Sequence, residues 1–428
     1  MALNDKAPLT GTVQVPGDKS ISHRAIMFGA MAEGTTTVEG FLPGDDCLST
    51  ISCFRQLGVS VEQNGTDVTV TSPGMHGWTE PADILDTGNS GTTTRLMLGI
   101  LAGTDFHSVL NGDASIAKRP MGRVIDPLRQ MGADIRGRSG GTMTPLAVTG
   151  SSLQAIDYDM PVASAQVKSA ILLAAIWAEG TTAIREKLPS RNHTEILLPQ
   201  FGVPVDQQDG VIRLTGGLKM TPAHVSVPGD ISSAAFFIAA ALMVPDSEIR
   251  LTNVGVNPTR TGILEAVRQM GGEIETEDAT EGAELAATLT VRASKLKSTE
   301  ISGALIPRLI DELPIIALLA TQAEGTTVIR DAEELRVKET DRIQSVVTGL
   351  KKLGADAEAT SDGMIIKGPV RLRGAQVDSF GDHRLGMTWA VASLIADGDV
   401  DIINKECISV SYPTFFEHLH TLQNRLSE

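Results

Sequence analysis

One phrase recurs along the chain and restricts its fold more than any other feature: AEGTTT at 32–37, AEGTTA at 178–183 and AEGTTV at 323–328. Weaker echoes stand at Ala102-Gly103-Thr104 and Ala396-Asp397-Gly398. Apolar, small-residue-rich stretches precede them, among them RLMLGILAG, SAILLAAIWA, PIIALLATQA and GMTWAVASLIA. A second phrase follows most of them, as RQLGV (55–59), RQMGA (129–133), PQFGV (199–203), RQMGG (268–272) and KKLGA (351–355). Such self-similarity marks one supersecondary unit used repeatedly. The apolar stretches have no polar face, which predicts helices buried on every side. The second phrase predicts an amphipathic helix stopped by its glycine. Alternation around Asn64-Gly65 predicts a β-hairpin.

Units begin near Gly17, Gly88, Pro161, Gly229, Asp311 and Gly381, roughly 70 residues apart. The sixth breaks off after FFEHLHTLQNRL, and its missing strand is expected from the N-terminal LTGTVQVPG. The chain then divides into two α/β lobes of three units each, residues 1–15 with 228–428, and residues 16–227. The seams fall near Pro16 and Pro228, both in VPGD.

Composition excludes several function classes. The 36 Lys and Arg stand against 52 Asp and Glu, a formal net charge of −16. That balance argues against binding nucleic acid or an anionic membrane surface. The start, MALNDKAPLTGTV, has neither the basic nor the apolar region of a signal peptide, so a cytoplasmic protein is expected. Apolar runs such as Ala234–Val244 are too short to span a bilayer. Cys47, Cys53 and Cys407 have no metal-ligand spacing and read as reduced thiols.

A small anionic substrate remains possible if the cations gather locally, and the polar segments just before the buried helices do gather them. Helix N-termini carry unpaired N–H groups and partial positive charge, so six such ends around a cleft would trap anions. PGDKSISHR supplies Lys19, Ser20 and Arg24; Ser20 or Asp18 can equally be an N-cap. DTGNSGTTTRL supplies Asn89, Gly91 and Arg95, where glycine allows close backbone approach. GDASIAKRPMGR adds Lys118, Arg119 and Arg123, arginine being suited to bidentate anion contacts. VASAQVKS gives Ser164, Gln166 and Lys168, and SRNHTE gives Arg191 and His193, the histidine reading as structural. PGDISSAAFF has no basic group and also reads as structural. In LIDELP, Asp311 and Glu312 precede an apolar helix, either as dipole partners or as proton acceptors. LRVKETDR places Lys338 and Arg342 four apart, like charges that a helix tolerates poorly unless Glu339, Asp341 or a bound anion lies between them. GDHR adds Asp382, His383 and Arg384.

Together, PGDKSISHR (16–24), GNSGTTTR (88–95), KRP (118–120), SAQ (164–166), RVKETDR (336–342) and GDHR (381–384) resemble the 5-enolpyruvylshikimate-3-phosphate synthase family over essentially the whole chain. The resemblance implies two inverse α/β lobes built from six βαβαββ units with buried central helices and the active site between the lobes. It implies no metal and no organic cofactor. The implied activity moves the enolpyruvyl group of phosphoenolpyruvate to the 5-hydroxyl of shikimate 3-phosphate. By motif match, Lys19, Ser20, Arg24, Ser164, Gln166, Arg191, Asp311 and Lys338 would hold shikimate 3-phosphate. Lys19, Gly91, Arg119, Gln166, Arg342 and Arg384 would hold phosphoenolpyruvate. Asp311 would be the base at the hydroxyl, with Glu339 and Lys19 as proton donors. The implied partners are small anions only, and the implied state is a monomer.

Several positions depart from the pattern of many members. Leu96 stands where many have Pro, Ser115 where some have Arg, and Arg191-Asn192-His193 where others carry a Tyr. Val410 occupies the place of a late lysine, for which Lys405 is the nearest substitute. These features resemble the more divergent bacterial branch. Two alternatives compete: a transferase acting on UDP-N-acetylglucosamine, and an anion-binding scaffold without catalysis. The former usually has a reactive Cys in the loop matching 111–120, which here reads NGDASIAKRP. The presence of both Asp311 and Glu339 beside the cations argues against the latter.

Overall fold

The structure, a computed structural model, describes residues 7–277 and 283–423. The chain forms two compact units, one of Gly17–Val227 and one of Met1–Pro16 with Pro228–Glu428.

Three repeats make up the Gly17–Val227 unit. Their central helices are α1 (Lys19–Met31), α2 (Gly91–Leu101) and α3 (Ala165–Trp177). Every residue of α1 from Ile21 onward is buried, which accounts for the missing polar face. Helix α2 separates two parallel strands, as a parallel pair requires. Leu85–Asp86 runs parallel to His107–Asn111, which pairs antiparallel with Met143–Thr149, itself antiparallel to Asp134–Gly137. The other two sheets of this unit repeat that order. In the first repeat, Ser60–Asn64 and Asp67–Pro73 form the expected hairpin, with Asn64 opposite Asp67 and Gly65 at φ +62°.

The second unit repeats the plan around α4 (Ile231–Met243), α5 (Leu313–Ala320) and, beyond the amphipathic α6 (Arg342–Lys352), α7 (His383–Ala392). All residues of α5 and α7 are buried. Glycines close the amphipathic helices in both units: Gly58, Gly132, Gly202, Gly271 and Gly354 lie at φ between +79° and +101°. Only glycine enters that region without a Cβ penalty, which is why LG, MG and FG end these phrases.

The N-terminal strand does not go where the truncated sixth repeat suggested. Thr10–Val13 pairs in parallel with Glu248–Leu251, completing the fourth repeat around α4. Leu9 N donates to Ser247 Oγ at 2.9 Å, which fixes that register. The sixth repeat keeps a two-stranded sheet, Gln376–Asp378 beside Asp401–Ile403. The reason lies in the two VPGD segments, at each of which the chain leaves one unit for the other. The strand before the second, His224–Ser226, pairs with Thr37–Glu39 beside α1, and the strand before the first joins α4. The units have exchanged their first strands.

Close approach at the first crossing forbids a side chain. A Cβ on Gly17 would lie 1.9 Å from the Gly40 carbonyl oxygen. Gly17→Ala should therefore cost at least ~2 kcal/mol in urea unfolding, the cost of forcing an overpacked site apart. An unchanged midpoint would contradict this packing.

Candidate active site

Five of the six central helices start from a side-chain cap, and those caps set the polar ends. Asp18 accepts from Ile21 N, Ser90 from Thr93 N, Ser164 from Val167 N, Asp230 from Ser232 N and Asp382 from Arg384 N. Capping is thus the local role of Asp18 and Ser164, while Ser20 is free of it. Helix α5 lacks a side-chain cap and has Asp311 and Glu312 ahead of it.

In the Gly17–Val227 unit, Lys19 Nζ meets Asp46 Oδ2 at 2.8 Å. Arg24 is buried, not a surface charge. Its Nε donates to Thr194 Oγ1 at 2.7 Å, Nη2 to Ser169 Oγ at 2.7 Å and Nη1 to the Ser20 carbonyl at 2.9 Å. At the start of α2, a Cβ on Gly91 would lie 2.8 Å from Arg95 Nη1 and 3.2 Å from Arg119 Nη1. Two guanidinium groups therefore share a helix N-terminus with nothing but glycine beneath them, an anion-binding arrangement. Arg95 Nη1 donates to Gln166 Oε1 at 2.8 Å, and Gln166 Nε2 to Thr92 Oγ1 at 3.1 Å. Arg119 Nη2 reaches Asn89 Oδ1 at 3.2 Å and Ser115 Oγ at 3.1 Å. Gly91, Arg119 and Gln166 thus share one cluster, with Arg95 as its link. Arg191 is half-buried in the segment before a short helix, and His193 is buried at that helix's first position.

In the second unit the expected residues converge on one guanidinium. Arg342 is buried and donates through Nε to Asp382 Oδ2 at 2.8 Å, through Nη2 to Glu339 Oε2 at 2.6 Å and through Nη1 to Asp311 Oδ1 at 3.2 Å. Lys338 Nζ lies 3.6 Å from Asp311 Oδ1, and Arg384 Nη2 lies 4.0 Å from Asp311 Oδ2. Burial pulls the Arg342 pKa down, but Asp382, Glu339 and Asp311 outweigh it and leave the guanidinium more firmly charged than usual. RVKETDR is not one helix with Lys338 and Arg342 on the same face. Glu333–Val337 form a 3-10 turn, Asp341 caps α6, and Arg342 is the first residue of that helix. The break aims Lys338 and Arg342 at the same carboxylate, Asp311.

Other participants were not legible as site residues. Asp382 was visible only as a member of GDHR, yet both its oxygens hold Arg342. The fourth repeat does have its cation: Arg260, from NPTRTG, reaches Asp230 Oδ1 at 2.9 Å and Ser232 Oγ at 2.8 Å. Asp230 at a buried helix start was the available signal, since a buried carboxylate calls for a partner. Among the described residues no group of three or more His, Cys, Asp or Glu is placed to hold a metal ion. Among them, too, no helix is long and apolar enough to cross a membrane.

These clusters, set at the ends of helices in repeated βαβαββ units, are suited to multiply charged small anions, and the fold is that of a family of transferases. The chain belongs to the EPSP synthase family (3-phosphoshikimate 1-carboxyvinyltransferase), whose sequence model matches residues 3–419. The 3-phosphoshikimate 1-carboxyvinyltransferase of Bacillus licheniformis is 58% identical over 419 residues, covering 97% of this chain and 98% of the relative. That of Bacillus thuringiensis strain Al Hakam is 59% identical over 415 residues, 97% of each chain. A solved EPSP synthase from Acinetobacter baumannii matches with a TM-score of 0.89 at 44% identity, covering 98% of this chain and 97% of its own.

A hydroxyl chain ties the starts of α1 and α2 together. His23 Nδ1 lies 2.8 Å from Thr50 Oγ1, Thr50 Oγ1 lies 2.7 Å from Thr93 Oγ1, and Thr93 Oγ1 donates to Ser90 Oγ at 2.7 Å. Burial pushes the His23 pKa from 6.5 down to about 3. The unfolded chain then binds more protons between those values, so this stability is complete above pH 6.5 and lost as pH falls toward 3. Over that window each unit fall in pH should weaken the fold by up to about 1.4 kcal/mol. His23→Asn should flatten the slope in urea titrations; an equal slope in both proteins would show that His23 does not titrate this way.

Proposed function

We infer that this chain transfers the enolpyruvyl group of phosphoenolpyruvate to the 5-hydroxyl of shikimate 3-phosphate and releases phosphate, a step toward the aromatic amino acids. The observation that carries the residue-level reading is Asp311, a carboxylate within 4.0 Å of Lys338, Arg342 and Arg384. A carboxylate so placed can take the proton of a hydroxyl, and the cations around it can hold the phosphate and carboxylate groups of the substrates.

The chemistry then runs as addition followed by elimination. Asp311 takes the 5-hydroxyl proton as that oxygen bonds to C2 of phosphoenolpyruvate, while Glu339 or Lys19 gives a proton to the methylene carbon. The resulting tetrahedral intermediate loses phosphate by breaking the C2–O bond, and a proton leaves the methyl group to restore the double bond. Lys19, Ser20, Arg24, Ser164, Gln166, Arg191 and Lys338 are assigned to shikimate 3-phosphate. For Arg24 the assignment is mainly indirect, since its guanidinium hydrogen bonds to Thr194, Ser169 and Ser20. Gly91, Arg119, Gln166, Arg342 and Arg384, with Lys19, are assigned to phosphoenolpyruvate. One chain supplies every group named, so the reading takes the protein to act as a monomer. It binds no nucleic acid in this reading and works in the cytosol, where its three free cysteines stay reduced.

Phosphate release from phosphoenolpyruvate should require shikimate 3-phosphate and should not occur with UDP-N-acetylglucosamine; release with the sugar nucleotide alone would reassign the acceptor. Asp311→Asn should lower kcat by at least ~100-fold, the usual weight of a general base, while leaving shikimate 3-phosphate bound in calorimetry. Turnover at the wild-type rate would remove Asp311 from the mechanism.

A further inference from the structure

Below the start of α3, three charges are buried together. Lys168 Nζ lies 2.8 Å from Glu186 Oε2 and 2.7 Å from Glu195 Oε1, with side-chain exposures of 1%, 7% and 1% respectively. Glu195 Oε2 is buried and has no hydrogen-bond partner. Such a group is an expensive way to stabilise a core, because each ion loses several kcal/mol of hydration and apolar residues of similar volume commonly serve as well. Helix α3 does not need it either, being capped by Ser164 and apolar beyond.

The charges do hold one thing in place, which is Ser190. Lys168 Nζ donates to the Ser190 carbonyl at 3.4 Å, Ser190 N donates to Glu186 Oε2 at 3.4 Å, and Ser190 Oγ donates to Glu186 Oε1. Residues 186–192 belong to no helix or strand, so side chains must fix their path. The next residue along is Arg191. On the far side of the segment, Arg24 holds Thr194 and Ser169, the neighbours of Glu195 and Lys168 in sequence.

We propose that Lys168, clamped between Glu186 and Glu195, is a positioning residue that sets Arg191 for the phosphate of shikimate 3-phosphate. The proposal rests on the assignment of Arg191 to that substrate. Lys168 itself touches no substrate: its ammonium is spent on two carboxylates and a carbonyl. Three buried charges thus fix the direction of a fourth that faces the ligand. The clamp acts through geometry, so its removal should change affinity for one substrate and not the rate of chemistry.

The test removes the charges together, so that none is left buried alone. Lys168→Met, Glu186→Gln and Glu195→Gln combined should stay folded, with a melting temperature within a few degrees of wild type. KM for shikimate 3-phosphate should rise about tenfold with kcat held within about threefold, the pattern of lost ground-state positioning. KM for phosphoenolpyruvate should not move. In an Arg191→Ala background the same three changes should add nothing, because coupled positions are not additive. If the triple variant does not fold, Lys168→Arg keeps the charge, but its planar fork cannot place one nitrogen among all three acceptors, and it should give a smaller rise of the same kind. A folded variant with wild-type KM overturns the proposal, as does an effect that multiplies with that of Arg191→Ala. An active enzyme in which Arg191→Ala leaves KM unchanged overturns both this proposal and the role of Arg191. Absence of phosphate release with shikimate 3-phosphate in the wild type would instead sink the functional reading beneath it.

Discussion

A helix enclosed on every side by its own protein can meet water or a ligand only at its ends, and the rest of this molecule follows from that constraint. Six helices are enclosed in this way, and their polar residues sit in the first two turns or just ahead of them. The N–H groups there need acceptors, so Asp and Ser caps recur. Carboxylates so placed attract cations, and the cations are then available to anions from outside. Fold stability and the clusters proposed to bind substrate thus draw on the same short segments, which is why the repeated phrases and the candidate motifs are neighbours in sequence.

The cations are not a bare basic surface. Lys19 is matched by Asp46, Lys338 by Asp311 and Glu334, and Arg342 by three carboxylates. In a chain with a net charge of −16, a positive site is made by holding each cation in a set direction, not by accumulating excess charge. Fixed ion pairs of this sort lose little by reorganisation when a ligand arrives, an advantage that loose surface lysines do not have. The same logic appears at Lys168, where the pairing is complete and the charge works inward.

Much of this was legible in the order of residues. Buried helices announced themselves by lacking a polar face, helix ends by LG and MG, and the hairpin by alternation about Gly65. Of the Arg342 cluster, Asp311, Lys338, Glu339 and Arg384 could be named as well, because they stand in motifs at or just ahead of helix starts, whereas Asp382 was visible only within GDHR. What could not be read was partnership across distance. LTGTV and HVS both lie just ahead of VPGD, and local pattern does not say which central strand each will pair with. RVKETDR has the composition of a helix, and only the Asp341 cap shows that the helix begins at Arg342. Nothing nearby in sequence marks Glu186 and Glu195 as partners of Lys168.

The exchanged first strands bear on the order in which the protein is made. Leu9 and Ser247, bonded in the finished molecule, are 238 residues apart, so the strand that follows Leu9 has no partner until that length of chain has been made after it. The unit synthesised in between can close its own sheet as soon as His224–Ser226 emerges beside Thr37–Glu39. The strand at Thr10–Val13 therefore waits for the unit that follows Pro228, and a fragment that begins at Pro228 would lack an edge strand however well its helices formed.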